Sequence, residues 1–253
     1  MKNAFFYFII FPFYGLIQAI KNYQLPWAKN MLWLFVVFYG YTMYVPIDAD
    51  SSRYVAKVQM LYQNPRTWDV FIASFYSLDE TGSGSVDIYE PLMANFVSLF
   101  TDNGNILFAF YGFVFGFFYS RNVWFLIDEL KDIKKSNYVW LLVLTFFCVI
   151  GFWELNGVRM WTAAHVFFYG VFTVFRKENK KGLIFILLAA LIHYSFILPI
   201  LLFFVYYIFR FPFRLLYLLF ILSFFISSLN VTSINSLLER FLPDFLLPRV
   251  QGY

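Results

Sequence analysis

The sequence holds a single cysteine, Cys148, which excludes an intrachain disulfide and any zinc site built on paired cysteines. It contains no phosphate-binding glycine loop, no zinc-protease motif and no nucleophile elbow. There is no polar domain to house an ATPase, so the energy for any reaction must arrive with the substrate or from a gradient. Charge is scarce too. Asp, Glu, Lys and Arg make up 13% of the residues, about half the roughly 25% share of a soluble domain. Such a chain cannot cover a water-exposed surface of normal polarity.

What the chain has in quantity is hydrophobic: 61% of residues, with aromatics at 25% and 37 Phe. The apolar residues fall in blocks on the length scale of a bilayer crossing. These features define an all-α, polytopic integral membrane protein with Phe as lipid-facing bulk. The first twenty residues resemble the charged and apolar regions of a signal peptide, but FFYFIIFPFYGLIQAI places no good small-residue cleavage site, so they are read as a retained span. Crossings are expected at 4–20, 31–47, 104–120, 138–155, 158–175, 182–193, 195–209 and 214–229. That is about eight transmembrane helices in one domain covering residues 1–253.

The longest polar stretch, 48–103, carries the loop signal DETGSGS at 79–85. Within it, SSRYVAKVQMLYQ (51–63) spaces Tyr54, Val58, Leu61 and Tyr62 as an amphipathic surface helix. PLMANFVSLF (91–100) is apolar but short, an interfacial helix or an extension of the next span. The tail SINSLLERFLPDFLLPRV (233–250) is again amphipathic, broken by two prolines.

The net charge of +4 is read by location rather than as a sign of an anionic partner. Lys21 and Lys29, then Lys131, Lys134 and Lys135, then RKENKK (176–181), then Arg210 and Arg214 mark the basic loops. The positive-inside rule puts all four in the cytoplasm. This requires residues 182–209 to form two helices, and HYSFILP (193–199), with His193 and Pro199, supplies the break. Both termini are then outside. The 48–103 loop and the 230–253 tail are non-cytoplasmic.

That topology gathers Asp48, Asp50, Arg53, Glu90, Glu154, Asn156, Arg159 and His193 on the outer face, with Glu239, Arg240, Asp244 and Arg249 of the tail. Arg159, in ELNGVRMWTAA, opens a span after a short turn; it either pairs with Glu154, snorkels to lipid phosphate, or holds a phosphate or pyrophosphate bidentately. His193 is a structural hydrogen-bonding residue or a partner of Arg159 at the same level. His165, mid-span, reads as buried, neutral and bonded to a neighbouring helix. Asp48 and Asp50, one residue apart, suit a general base or, less well, a divalent cation; the plainer alternative is that one of them caps the 51–63 helix.

The run DADSSRYVAKVQMLY, then NGVRMWTAAHVFFYGVF, a basic loop and LIFILLAALIHYSFILPILL resembles the EpsG-like polysaccharide polymerases, relatives of the Wzy-type O-antigen and capsule polymerases. The most telling matches are Arg159 opening a helix and His193-x-Ser195 two helices later. The members run longer than this chain, so the resemblance implies a short or C-terminally truncated member.

It further implies a glycosyltransferase of the GT-C kind in a bacterial cytoplasmic membrane, with no cofactor and no metal. Its partners would be an undecaprenyl-pyrophosphate-linked oligosaccharide, membrane lipids and other polysaccharide assembly proteins, with no nucleic acid. Arg159, Arg53 and Glu90 are then substrate-binding candidates. The base that takes the acceptor proton comes from Asp48, Asp50, Glu90 or His193. The rivals are a flippase for the same lipid-linked sugar, whose expected internal symmetry is not apparent, a membrane acyltransferase, and a non-catalytic assembly component.

Overall fold

The computed structural model describes residues 2–46, 50–76, 87–129, 137–210, 212, 214–218 and 220–221. Among them there is helix and no strand. The helices are α1 (Lys2–Ile10), α2 (Pro12–Lys21), α3 (Ala28–Thr42), α4 (Asp50–Gln63), α5 (Trp68–Tyr76), α6 (Tyr89–Ser98), α7 (Gly104–Glu129), α8 (Asn137–Val149), α9 (Val158–Phe175), α10 (Gly182–Ile192) and α11 (Ile197–Phe209). Short 3-10 turns at Phe152–Asn156 and Tyr194–Phe196 precede α9 and α11.

The chain divides into two compact units, Met1–Ile200 and Leu201–Tyr253, with the boundary inside α11. In the second unit, Phe203 stacks on Tyr207 one turn later, ring centroids 5.7 Å apart. The first unit carries everything discussed below. Its centre is α7, which is apolar around its whole circumference, as a helix enclosed by neighbours must be. Helix α7 packs against α3, α9, α4, α6 and α8, and its Leu107, Phe108, Tyr111, Phe115 and Tyr119 are fully buried.

Glycine sets how closely α3 and α7 approach. A Cβ at Gly40 would strike the Phe108 carbonyl oxygen, and one at Gly112 would lie 2.7 Å from the Val36 carbonyl oxygen. Small residues let backbones meet where no hydrophobic driving force separates helix from lipid. Outward from this core, large apolar side chains stand exposed, among them Phe5, Ile9, Leu141, Leu144, Ile184 and Leu187. An exterior of that kind suits hydrocarbon rather than water.

Two of the described helices are long and apolar enough to cross a bilayer, residues 104–128 of α7 and Val158–Phe175. The other expected crossings come out shorter. The 4–20 span breaks at Phe11, whose extended backbone precedes Pro12 at the start of α2. Helix α3 has 15 residues, roughly 22 Å of rise against a hydrocarbon core of about 30 Å. The 138–155 span is α8 followed by a 3-10 turn. Only residues 214–218 and 220–221 of the 214–229 span are described.

The break in HYSFILP is present. His193 is extended (φ −150°, ψ 118°), and α10 ends at Ile192. Pro199 causes no break of its own. It sits in the first turn of α11, where a missing N–H costs nothing.

Candidate functional site

The interruption after α10 leaves its last carbonyls, and the first N–H groups of the segment that follows, without intrahelical partners. Residues 87–88 satisfy both. The Ile88 N–H donates to the Leu191 carbonyl at 3.0 Å, and the Tyr194 N–H donates to Asp87 Oδ1 at 2.8 Å. The start of α6 is thereby docked onto the broken end of α10.

The other carboxylate oxygen of Asp87 collects two more donors. Arg159 Nη1 donates to Oδ2 at 2.9 Å, and His193 Nδ1 lies 2.9 Å from the same atom. An ionised carboxylate only accepts, so Nδ1 carries a proton, and in the neutral imidazole the bare ring nitrogen is Nε2. Burial alone would raise the Asp87 carboxyl. The hydrogen bonds from His193 and the Tyr194 N–H, with the nearby charges, hold it below the usual carboxylate range. Asp87 is therefore an anion, placed to fix one tautomer of His193 and one position of Arg159.

Arg159 occupies the first turn of α9, where a cation opposes the helix dipole, and the Asp87 charge compensates it. Tyr54 of α4 is a further hydrogen-bond partner of the guanidinium. Beside this group, Lys57 Nζ bonds Glu90 Oε2 at 2.8 Å. In both ion pairs the carboxylate is buried and the cation faces outward: side-chain exposure is 4% for Asp87 and 7% for Glu90, against 37% for Arg159 and 35% for Lys57. The fixed charges sum to zero, but their arrangement presents cations to an incoming group. Glu90 Oε1 and the Tyr111 hydroxyl, beneath this surface, are buried with no hydrogen-bond partner among the described residues.

Of the residues expected from sequence, Arg159 and His193 meet on Asp87, and Glu90 lies next to them on Lys57. Glu154 is not the carboxylate that Arg159 engages; that carboxylate is 72 residues earlier in the chain. Asp50 opens α4, and Arg53 is exposed on the same helix. Asp48 lies outside the described residues. His165 is fully buried, with its carbonyl accepting from Asn122 Nδ2 of α7 at 2.8 Å, the structural role expected for it.

Asp87 and Lys57 were not among the expected residues. Asp87 had a local signal of sorts, since Asp87-x-x-Glu90 has the spacing of a capping box at the start of α6. No side chain caps α6. Asp87 caps a segment more than a hundred residues away instead, which no local pattern encodes.

Among the described residues the fold is helical, with two helices long and apolar enough to cross a membrane, and the site is a buried carboxylate clamping an arginine and a histidine. The chain matches the EpsG family over residues 62–249 and belongs to it. No curated protein and no solved structure matches. Family membership indicates a polymerase-like role in polysaccharide biosynthesis, with lipid-linked precursors as its material. The matched region includes Asp87, Glu90, Arg159 and His193 and begins after Lys57.

Proposed function

We propose that this protein joins lipid-linked oligosaccharide repeat units into an exopolysaccharide, capsule or O-antigen chain at the outer leaflet of the bacterial cytoplasmic membrane, as a GT-C-type glycosyltransferase. The observation that carries the reading is Asp87 Oδ2, shared at 2.9 Å between Arg159 and His193. It couples an anion-binding group to an oriented base in one constellation.

In this reading His193 Nε2 takes the proton of the acceptor hydroxyl as its oxygen bonds to the anomeric carbon of the donor sugar. The bond from that carbon to the diphosphate oxygen breaks, and its electron pair leaves with the lipid diphosphate. The guanidinium donors of Arg159 not engaged by Asp87 hold the developing charge. Lys57 adds a second cation at the same surface. Asp87 acts through the other two, orienting the imidazole and stabilising it once protonated. No nucleotide is needed, because the diphosphate ester is already activated. His193 is preferred over Glu90 as the base, since Glu90 is committed to Lys57 and buried.

The same reading takes the chain as a multi-pass protein of about eight crossings with a single transmembrane domain, the 48–103 and 230–253 segments lying outside. Helices α1 with α2, and α8 with its 3-10 turn, each supply one interrupted crossing. Support within the first unit comes from Lys21, Lys29 and the basic 176–181 turn at one set of helix ends and the Asp87 cluster at the other.

The test is Arg159→Ala and Arg159→Lys in the native host, read on the polysaccharide ladder. Both variants are expected to accumulate single repeat units on lipid, because an ammonium cannot reproduce the planar fork of a guanidinium. An unchanged chain-length distribution in Arg159→Ala refutes the proposal.

A further inference from the structure

A concavity lies on the neighbouring face of α4. It has a volume of about 620 Å³ and is bounded by the end of α3, by Val55 and Gln59 of α4, and by the turn leading into α7. This is within the range of about 300–1,000 Å³ typical of small-molecule sites. Gly104 allows the wall to form: a Cβ there would lie 2.7 Å from Val55 Cγ2, so a larger residue would push the 101–105 turn off α4.

The wall is built and has spare hydrogen-bonding capacity. Asn103 Oδ1 accepts the Asn105 N–H at 2.9 Å, and Thr101 Oγ1 accepts the Asn103 N–H at 3.1 Å, which fixes the turn that starts α7. The side chains of Gln59, Asp102 and Asn105 line the cavity and make no hydrogen bond within the described residues. Amides of this kind accept from and donate to adjacent hydroxyls at once, and a carboxylate accepts from them. Tyr44, also on the wall, is 82% exposed, an aromatic face available to the C–H side of a sugar ring.

The charge decides which part of a glycolipid belongs here. Among the described residues, Asp102 is the one charged residue on the wall, and no Lys or Arg lines it. A diphosphate would be repelled, whereas a neutral saccharide would not. Tyr54 reaches Arg159 from one face of α4, while Val55 and Gln59, four residues apart on one helical face, look into the cavity. We infer that this cavity is a saccharide subsite, binding the uncharged sugar residues of a repeat unit through Gln59, Asp102, Asn105 and Tyr44, one helix away from the cations that meet the diphosphate. The inference rests on the polymerase reading for the identity of its ligand.

The probe is the repeat-unit oligosaccharide released by mild acid from the lipid pool of a host lacking this protein. Its binding to the full chain in nanodiscs is read by saturation-transfer NMR. Wild type and Arg159→Ala are both expected to give transfer to the sugar. The Gln59→Ala/Asn105→Ala double variant is expected to bind about ten-fold more weakly, the scale set by two lost hydrogen bonds. Tyr44→Ala should weaken binding as well, through a side chain so exposed that its removal leaves packing untouched. Equal transfer in wild type and the double variant, or none in wild type, overturns the subsite. Failure of the polymerase reading shows separately, as a normal ladder in Arg159→Ala.

Discussion

Replacing Asp87 with asparagine removes one charge and leaves the shape. The amide oxygen can still accept the Tyr194 N–H, now at 2.8 Å from Oδ1. The NH2 group then stands where Oδ2 stood, facing two donors that lie 2.9 Å away in the wild type, Arg159 Nη1 and His193 Nδ1–H. Three donors cannot share that point. Arg159 is 37% exposed and turns to solvent, so its lost pairing is worth only the surface range of about 0–1 kcal/mol. The His193 side chain is 16% exposed, and a hydrogen bond to a charged group there counts for about 1.5–3 kcal/mol.

The imidazole recovers most of that second loss by moving its proton to Nε2 and accepting from the amide at Nδ1. The new tautomer has no lone pair at Nε2 to take the acceptor proton. A positioned general base contributes roughly 10²–10⁴ in rate, so kcat should fall by about that factor while KM changes only a few-fold. The assay is initial rate against concentration of lipid-linked repeat units extracted from a polymerase-deficient host, with protein in nanodiscs. A structural readout accompanies it. The chain has 2 histidines, so ring ¹⁵N spectra of His-labelled protein contain two spin systems, and one of them should exchange its protonated and unprotonated nitrogens. Because the Asp87 carboxyl is held low, its share of stability is fully present above the unfolded value near 3.9 and vanishes as pH falls through the lower folded value. The thermal difference between wild type and Asp87→Asn should therefore close in that acidic window. A kcat within about three-fold of wild type, far inside the general-base range, or an unmoved ¹⁵N pattern, refutes the reasoning.

Other outcomes follow from the same geometry. Gly112→Val drives a branched side chain into the Val36 carbonyl, 2.7 Å from where Cβ would sit; overpacking of about 1–3 kcal/mol should lower the thermal midpoint in detergent, and an unchanged midpoint would contradict the close α3–α7 contact. Lys57→Met strands the buried Glu90 carboxylate; with Lys57 35% exposed, the full penalty for a broken buried pair is screened to about 1–2 kcal/mol. Adding Glu90→Gln should restore much of it in a double-mutant cycle, and strict additivity would mean the pair is not coupled. For topology, a Cys148→Ser background carrying Asp102→Cys should react with a membrane-impermeant maleimide on intact cells, while Glu178→Cys should react only after permeabilisation. The reverse pattern would invert the proposed orientation.

Composition and periodicity determined a good deal by themselves. Low charge and long apolar blocks dictate helices that face hydrocarbon, because unsatisfied backbone groups are too costly in lipid for any open alternative. The break at His193, the amphipathic helix at 51–63 and the buried role of His165 were all local enough to read. Arg159 and His193 stood out because a charge or an imidazole in an apolar run demands a partner. What that partner is, the sequence did not say. Glu154 was the near acid, and Asp87 lay in a loop with the spacing of an ordinary cap.

Only the tertiary structure joined Asp87 to Arg159 and His193, because the pairing depends on where α10 breaks relative to where α6 begins. The exposed carbonyl of Leu191 and the N–H of Tyr194 draw residues 87–88 onto them. The breaks inside two of the expected spans were decided the same way. Hydropathy measures how apolar a block is, but Phe11 and the Gly151 turn that divide two of those blocks act through backbone geometry. The glycines that bring α3 against α7 had no meaning until the facing carbonyls were in place, since a close approach is a property of two helices.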